Sequence, residues 1–146
     1  MAHKEAQMIF ETEPNKDTDT FAEYVSHVYT LRAEILRDNK PLQTLSFRRL
    51  FNLYLLTSLL YYQHDISFIP DAVFDEICKV LVDRREEAES SKFWHGSLFD
   101  VSMLKAGSGF HLKANNSPVY LQNAAEMIAA SRQGSWESVG IIDREV

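Results

Sequence analysis

The stretch from residue 47 to residue 61 has almost no polar face, and this constrains the fold more than any other feature of the sequence. A helix that is apolar all round must be covered by other parts of the protein. A chain of 146 residues can provide that cover, since a domain of this size buries about two-thirds of its surface. We therefore predict a central buried helix over residues 46–63, with the apolar side chains Phe47, Leu50, Phe51, Leu53, Tyr54, Leu55, Leu56, Leu59, Leu60 and Tyr61.

Amphipathic helices are predicted on both sides of this segment. Thr20 and Glu23 form a capping-box pattern, after which apolar residues recur every three or four positions until Pro41 ends the run. Following the central segment, residues 65–70 form a short turn, and Asp71 is placed to cap the next helix by accepting hydrogen bonds from free N–H groups. This helix ends in a charged, solvated tail over residues 83–91, and its predicted inner face comprises Val73, Phe74, Ile77, Cys78 and Leu81.

The last third of the chain has weaker patterns. We expect a short helix that ends at Gly107, then an extended piece, and a last helix that starts at Ser117 with Pro118 and ends at Gly134. The aromatic residues Phe93, Trp94 and Phe110 are expected in the core.

These patterns together predict an all-α fold, a small bundle of four to five helices with a central helical hairpin and polar tails. We expect an N-terminal arm over residues 1–17, a single helical domain over 18–134 and a C-terminal tail over 135–146.

The charge of the chain argues against several classes of function. A net charge of -6 and a pI near 5.3 oppose the attraction to phosphate backbones on which most nucleic-acid-binding proteins depend. The first 20 residues are acidic and lack the apolar core of a secretory signal, and the longest apolar run is far shorter than the roughly 20 residues of a membrane span. We therefore expect a cytoplasmic protein that binds neither nucleic acid nor membranes. The single cysteine, Cys78, is predicted to be buried and unreactive.

Residues 61–75 carry the pattern that points to a ligand. Two adjacent tyrosines, Tyr61 and Tyr62, end one predicted helix, and two aspartates, Asp71 and Asp75, lie four positions apart at the start of the next. That spacing places both carboxylates on one face of the first turn. Aromatic rings beside fixed negative charge suit a ligand with a positively charged ring and ribose hydroxyls, as in oxidised nicotinamide nucleotides. In the structural alternative, the tyrosines pack in the bundle, Asp71 caps the helix and Asp75 is solvated.

This segment resembles the helical hairpin in the small N-terminal domain of bacterial NAD-dependent DNA ligases. The register holds without a gap: the tyrosine pair, Asp65 in the turn, the Ile-Pro-Asp-Ala of residues 69–72, and Asp75 all match. The resemblance implies that Tyr61, Tyr62, Asp71 and Asp75 contact the nicotinamide mononucleotide half of NAD. At residue 74 a phenylalanine replaces the usual tyrosine, so Phe74 keeps the ring and removes one hydroxyl.

The rest of the ligase machinery is not found in this sequence. It has no Lys-x-Asp-Gly motif, no room for an adenylation domain, no cysteine set for a zinc finger and no helix-hairpin-helix array. We therefore expect no ligation by this chain and no catalytic residue. The overall layout also resembles small bacteriophage proteins described as ligase-like, which would place the protein in the cytoplasm of the host cell.

Other candidate motifs give weaker signals. Residues 105–109, Lys-Ala-Gly-Ser-Gly, could offer backbone N–H groups to a phosphate, although they lack the spacing of a nucleotide-binding loop and are better explained by the end of a helix. The histidines at 64, 95 and 111 have no metal-ligand spacing, and His64 is a minor candidate for the edge of a ligand site.

Three functions are consistent with these features. The first is a non-catalytic domain that binds a nicotinamide nucleotide or another NAD-derived molecule through Tyr61, Tyr62, Asp71, Phe74 and Asp75, with no required cofactor or metal. In a bacteriophage such a domain could sequester an NAD-derived signal. The alternative is a protein-interaction or inhibitor module that acts on a host or partner protein, with the hairpin serving only as scaffold. The third, hydrolysis of a nucleotide by the acidic pair, would need a metal or a base that the sequence does not reveal.

Overall fold

The computed structural model describes residues 20–90, 98–110, 119–131 and 133–139, and all regular structure in these ranges is helical. Within these ranges six α-helices follow one another, and two short 3-10 helices lie at Leu42–Thr44 and Trp136–Val139. The α-helices are α1 (Thr20–Leu36), α2 (Phe47–His64), α3 (Asp71–Asp83), α4 (Arg85–Ser90), α5 (Val101–Lys105) and α6 (Val119–Ala130). The predicted all-α class is confirmed, and α4 is one helix more than expected. None of the helices in these ranges is long and apolar enough to span a membrane.

Helix α2 is the centre of the fold, as the sequence predicts. Every residue from 50 to 60 is buried, and the helix packs against α3 on one side and α6 on another. Its first turn is capped by Ser46, whose hydroxyl accepts a hydrogen bond from the backbone N–H of Arg49 at 3.2 Å. The helix ends where Asp65 adopts a left-handed conformation with φ of 56°. Because each large side chain in such a helix gains about 1.5–3 kcal/mol from burial, α2 organises the whole core.

The predicted positions of the flanking helices are largely correct. Helix α1 begins at Thr20 and ends at Leu36, before Asn39, which has a left-handed φ of 56°. Its predicted inner face is confirmed at Tyr24, Val25, Val28, Leu31 and Ile35, all of which are buried.

Helix α3 begins at Asp71 and also packs against α5. Val73, Ile77, Cys78 and Leu81 are buried on its inner face, while Phe74 is half-buried.

Two expectations about helix ends are wrong, and the expectation of a charged, solvated tail after α3 is correct only in part. Pro70, not Asp71, occupies the N-cap of α3, so Asp71 is the first helical residue and no side chain caps this end. The charged tail after α3 is exposed at Asp83, Arg85, Glu86 and Glu87, as expected, but Arg84 is half-buried, since its guanidinium donates to the carbonyl of Leu45 at 2.8 Å and pairs with Glu87. Helix α6 ends at Ala130, short of Gly134, where the Ser131 hydroxyl donates to the Ile128 carbonyl.

Several predicted features lie outside the described residues. These are the arm over residues 1–17, the aromatic residues Phe93 and Trp94, the extended piece after Phe110, and the Ser117-Pro118 helix start. The position of Phe110 contradicts its expected place in the core, because 62% of its side chain is exposed.

Burial of titratable groups predicts a loss of stability in mild alkali. Burial raises the pKa of the Cys78 thiol to about 12, and the carboxylate of Asp75 adds to that rise. The unfolded chain therefore releases the Cys78 proton at lower pH than the folded chain, which favours unfolding as pH rises above 9. We expect the free energy of unfolding to fall by about 1.4 kcal/mol between pH 8 and pH 10 from this group.

Other buried groups add little over this pH range. Burial also raises the pKa values of Tyr24 and Tyr54, but these two groups lower the stability of the fold only from about pH 10 upward. Arg32 has the opposite effect on stability, because burial lowers its pKa to about 10. Urea unfolding at pH 8, 9 and 10 measures the effect, and Cys78→Ala should remove most of it. An equal loss in the native chain and in Cys78→Ala would contradict the assignment to this thiol.

Candidate functional site

A cleft of about 260 Å³ opens between the C-terminal end of α2, the loop over residues 65–70, the first turn of α3 and the turn after α5. Its walls combine aromatic and aliphatic side chains with polar groups, among them two carboxylates. All five residues predicted from the sequence line it, so the structure brings the predicted site together. The lining residues are Thr57, Tyr61, Tyr62, Ile66, Ser67, Phe68, Ile69, Asp71, Phe74, Asp75 and Gly107.

The two tyrosines at the end of α2 form one wall of the cleft. Their rings meet edge to face, with centroids 4.8 Å apart and an interplanar angle of 89°. Tyr61 is 49% exposed, whereas Tyr62 is half-buried and its hydroxyl lies 3.3 Å from the Ser108 hydroxyl. The exposed ring of Phe110 meets Tyr62 edge to face at 5.6 Å. The tyrosine pair therefore presents ring surface to a ligand, which the packed-bundle alternative does not require.

Phe74 also lines the cleft, and its ring packs on a buried tyrosine. Its ring stacks on Tyr54 with centroids 5.7 Å apart, and the Tyr54 hydroxyl donates to the carbonyl of Ser108 at 2.8 Å. Ser108 thus contacts both Tyr54 and Tyr62, which ties the turn after α5 to the tyrosine wall. The sequence does not predict the contacts of Ser108 with Tyr54 and Tyr62. The spacing of seven residues between Tyr54 and Tyr61 does place these two tyrosines on one face of the helix.

Both aspartates are exposed, Asp71 in the first turn of α3 and Asp75 one turn later, and their carboxylates make no hydrogen bond or ion pair within the described ranges. Because Pro70 is the N-cap, Asp71 is not engaged in the capping bond that the structural alternative assigned to it. The positive end of the α3 dipole favours negative charge at this position. The two carboxylates are therefore free to accept hydrogen bonds from a ligand.

A buried arginine fixes the loop that forms the floor of the cleft. The Arg32 side chain, only 2% exposed, donates to the carbonyls of Phe68 at 3.3 Å, Gly134 at 3.1 Å and Gln133 at 2.8 Å. Its guanidinium also lies 4.1 Å from the centroid of the Phe68 ring. Beside it, the backbone N–H of Trp136 donates to the carbonyl of Ser67 at 3.1 Å. The segment after α6 therefore holds the cleft floor in place.

Gly107 is required by the turn after α5. Its φ of 67° is left-handed, and the N–H groups of Gly107 and Ser108 donate to the carbonyls of Leu104 and Met103. This is a Schellman end to α5, so both N–H groups are used and are not available to a phosphate. A Cβ atom at residue 107 would lie 2.8 Å from Oδ1 of Asp75. Sequence reasoning expected the helix end here but not the proximity to the predicted site.

A Gly107→Ala substitution is expected to affect both stability and the cleft. An L-residue in the left-handed region costs about 1–2 kcal/mol, and the added methyl group must displace the Asp75 carboxylate. Urea unfolding should show the stability loss, and titration with nicotinamide mononucleotide should show weaker binding. Gly107→Asn is the matched control, because asparagine tolerates this conformation better but has the same Cβ. Equal stability of the glycine and alanine forms would contradict the expectation.

The remaining candidate residues do not extend the site. His64 is half-buried at the end of α2 and does not line the cleft, while residues 95 and 111 lie outside the described ranges. Within those ranges, no group of three or more histidine, cysteine, aspartate or glutamate side chains is placed to hold a metal ion. The prediction for Cys78 is confirmed as far as burial, since its thiol is 1% exposed.

Comparisons of the chain with protein-family models, curated proteins and solved structures gave no match.

Proposed function

We propose that this chain is a non-catalytic binding domain that recognises the nicotinamide half of NAD, or a related NAD-derived molecule, in the cleft beside Tyr61 and Asp75. One observation carries the proposal: the cleft is lined by all five residues that the sequence pattern selected, Tyr61, Tyr62, Asp71, Phe74 and Asp75. A pyridinium ring would stack against the aromatic walls, and ribose hydroxyls would donate to the carboxylates.

The size of the cleft supports a small ligand. Pockets for drug-sized ligands span roughly 300–1,000 Å³. At about 260 Å³ the cleft lies just below that range. It suits a single ring with a sugar, so the adenosine half of a dinucleotide would extend beyond it.

In the described lining, hydroxyl groups and carboxylates are the only side chains with catalytic potential, and the proposal assigns the carboxylates to binding. The hydroxyl of Thr57 donates to the backbone carbonyls of Leu53 and Tyr54, at 2.8 Å and 3.2 Å, and its proton is not directed at a side-chain base. The described lining contains no lysine, cysteine or histidine. A domain of this kind would act by holding its ligand, for example by sequestering an NAD-derived signal.

Calorimetric titration tests the proposal with three ligands, of which two contain the pyridinium ring and one does not. NAD and nicotinamide mononucleotide are expected to release heat on binding, because both carry the pyridinium ring. ADP-ribose lacks that ring and is expected to give none. Silence with all three ligands at millimolar concentration would overturn the proposal, and equal binding of ADP-ribose would exclude the nicotinamide half as the part recognised.

The interaction-module alternative has one supporting observation. Tyr61 and Phe110 are 49% and 62% exposed, and both contact Tyr62, so they form an exposed aromatic edge that a partner protein could cover. A partner at this edge should be lost in Phe110→Ser and retained in Asp75→Asn. Ligand binding through the carboxylates should instead be lost in Asp75→Asn and retained in Phe110→Ser.

A further inference from the structure

The charged side chains in the described lining of the cleft are all negative. Its described lining contains the carboxylates of Asp71 and Asp75 and no lysine, arginine or histidine. The other lining side chains are aromatic, aliphatic or hydroxyl-bearing, and the partly exposed rings of Tyr61 and Tyr62 face the same space. A ring surface beside two unpaired carboxylates favours a cation.

Charged residues near the cleft do not reverse this balance. Glu76 lies next to Asp75 on α3 and adds to the negative charge. Lys79 is one turn further along α3, and Lys105 ends α5; both are exposed, and neither forms an ion pair with the two aspartates. The buried Arg32 is bound to three backbone carbonyls behind the loop and does not line the cleft.

The backbone offers an anion the uncapped N-terminal end of α3 and nothing from the turn after α5. The N–H groups of Gly107 and Ser108 are used in the end of α5. The N-terminal end of α3 does favour negative charge, but Asp71 already supplies that charge within the chain. A phosphate in the cleft would therefore lie beside two carboxylates without a positive side chain from the described lining to balance it.

We propose that the cleft selects the cationic nucleoside part of its ligand, a pyridinium riboside, and leaves any 5′-phosphate in solvent. This inference rests on the proposed function and narrows its ligand class. Oxidised nicotinamide riboside, with its positive ring and no phosphate, binds more tightly than nicotinamide mononucleotide. The reduced riboside, whose ring is neutral, binds at least about tenfold more weakly than the oxidised form, because it loses its attraction to the carboxylates.

Parallel titrations with oxidised riboside, reduced riboside and mononucleotide test the inference. The oxidised riboside is expected to bind more tightly than the mononucleotide. The difference in affinity between these two ligands should be smaller in Asp71→Asn. Asp83→Asn, at the far end of the same helix, removes the same charge and should leave the order unchanged. Both substitutions are at exposed positions, so folding is retained in each.

Two results would overturn the inference. Binding of the mononucleotide as tight as that of the oxidised riboside would show that the site accepts the phosphate, and would leave the proposed function intact. Equal binding of reduced and oxidised riboside would remove the role of the positive ring. If no nicotinamide compound binds, the proposed function fails and this inference fails with it.

Discussion

Replacing Asp75 with asparagine is expected to weaken binding of nicotinamide mononucleotide by about tenfold to a hundredfold. The Asp75 carboxylate is exposed one turn into α3 and makes no ion pair within the described ranges, so a ligand hydroxyl can pair with it without displacing another group. A hydrogen bond to a charged group contributes about 1.5–3 kcal/mol, which corresponds to this range of affinity. Calorimetric titration of the variant and the native chain measures the difference.

The matched control for this substitution is Asp83→Asn. It removes the same charge from the same helix, about two turns beyond Asp75, and Asp83 is also exposed. Affinity should be unchanged in the control, which separates a contact with the ligand from a general effect of net charge. If Asp75→Asn binds as tightly as the native chain, this carboxylate is not part of the site.

Replacing Arg32 with methionine is expected to lower the free energy of unfolding by about 3 kcal/mol. The variant keeps an apolar stem over Phe68, but it leaves the carbonyls of Phe68, Gln133 and Gly134 without their donor. Each buried acceptor without a partner costs about 1–3 kcal/mol, and this loss exceeds the gain from no longer burying a charge. Urea unfolding followed by circular dichroism measures the change.

Two further variants isolate the role of Arg32. Arg37→Met, at an exposed position just beyond the end of α1, should change stability by less than about 0.5 kcal/mol. Arg32→Lys keeps the charge but cannot reach three separate carbonyls, so an intermediate loss is expected. Because Arg32 fixes the loop beneath the cleft, Arg32→Lys should also bind the ligand more weakly. A methionine variant as stable as the native chain would contradict this account of the buried arginine.

The parts of the fold that depend on local pattern could be predicted from the sequence. Helix α2 has so little polar surface that it could only be central. Ser46, which caps α2, and Pro41, which cannot continue α1, mark boundaries that depend on local sterics and hydrogen bonding. The same holds for the cleft walls: a tight hairpin between α2 and α3 brings residues 61, 62, 71, 74 and 75 together whatever covers the rest of the bundle.

The parts that depend on distant residues could not be predicted. Arg32 reads in the sequence as an ordinary charged residue of α1, because its acceptors at residues 133 and 134 lie 101 and 102 positions away. The sequence predicts a helix end at Gly107, but nothing local indicates that its missing side chain makes room for Asp75. The apolarity of Phe110 predicts a core position, whereas its ring lies exposed against Tyr62.

The N-cap of α3 differs from the expectation, and this difference affects the cleft. The sequence favoured Asp71 as the cap of α3, since aspartate is a common capping residue and follows a turn. Proline at residue 70 instead occupies the cap with an extended ψ of 153°, which places Asp71 one position into the helix. A carboxylate expected to satisfy the backbone is thereby left for the cleft.

An NMR titration with nicotinamide mononucleotide is the most direct test that the cleft binds the nicotinamide ring. Shifts should concentrate in the amide and ring signals of Tyr61, Tyr62, Asp71, Phe74 and Asp75, with Overhauser contacts from the pyridinium protons to the tyrosine rings. Shifts confined to another surface, such as the exposed Val119 and Met127 on α6, or no shifts at millimolar ligand, would contradict it.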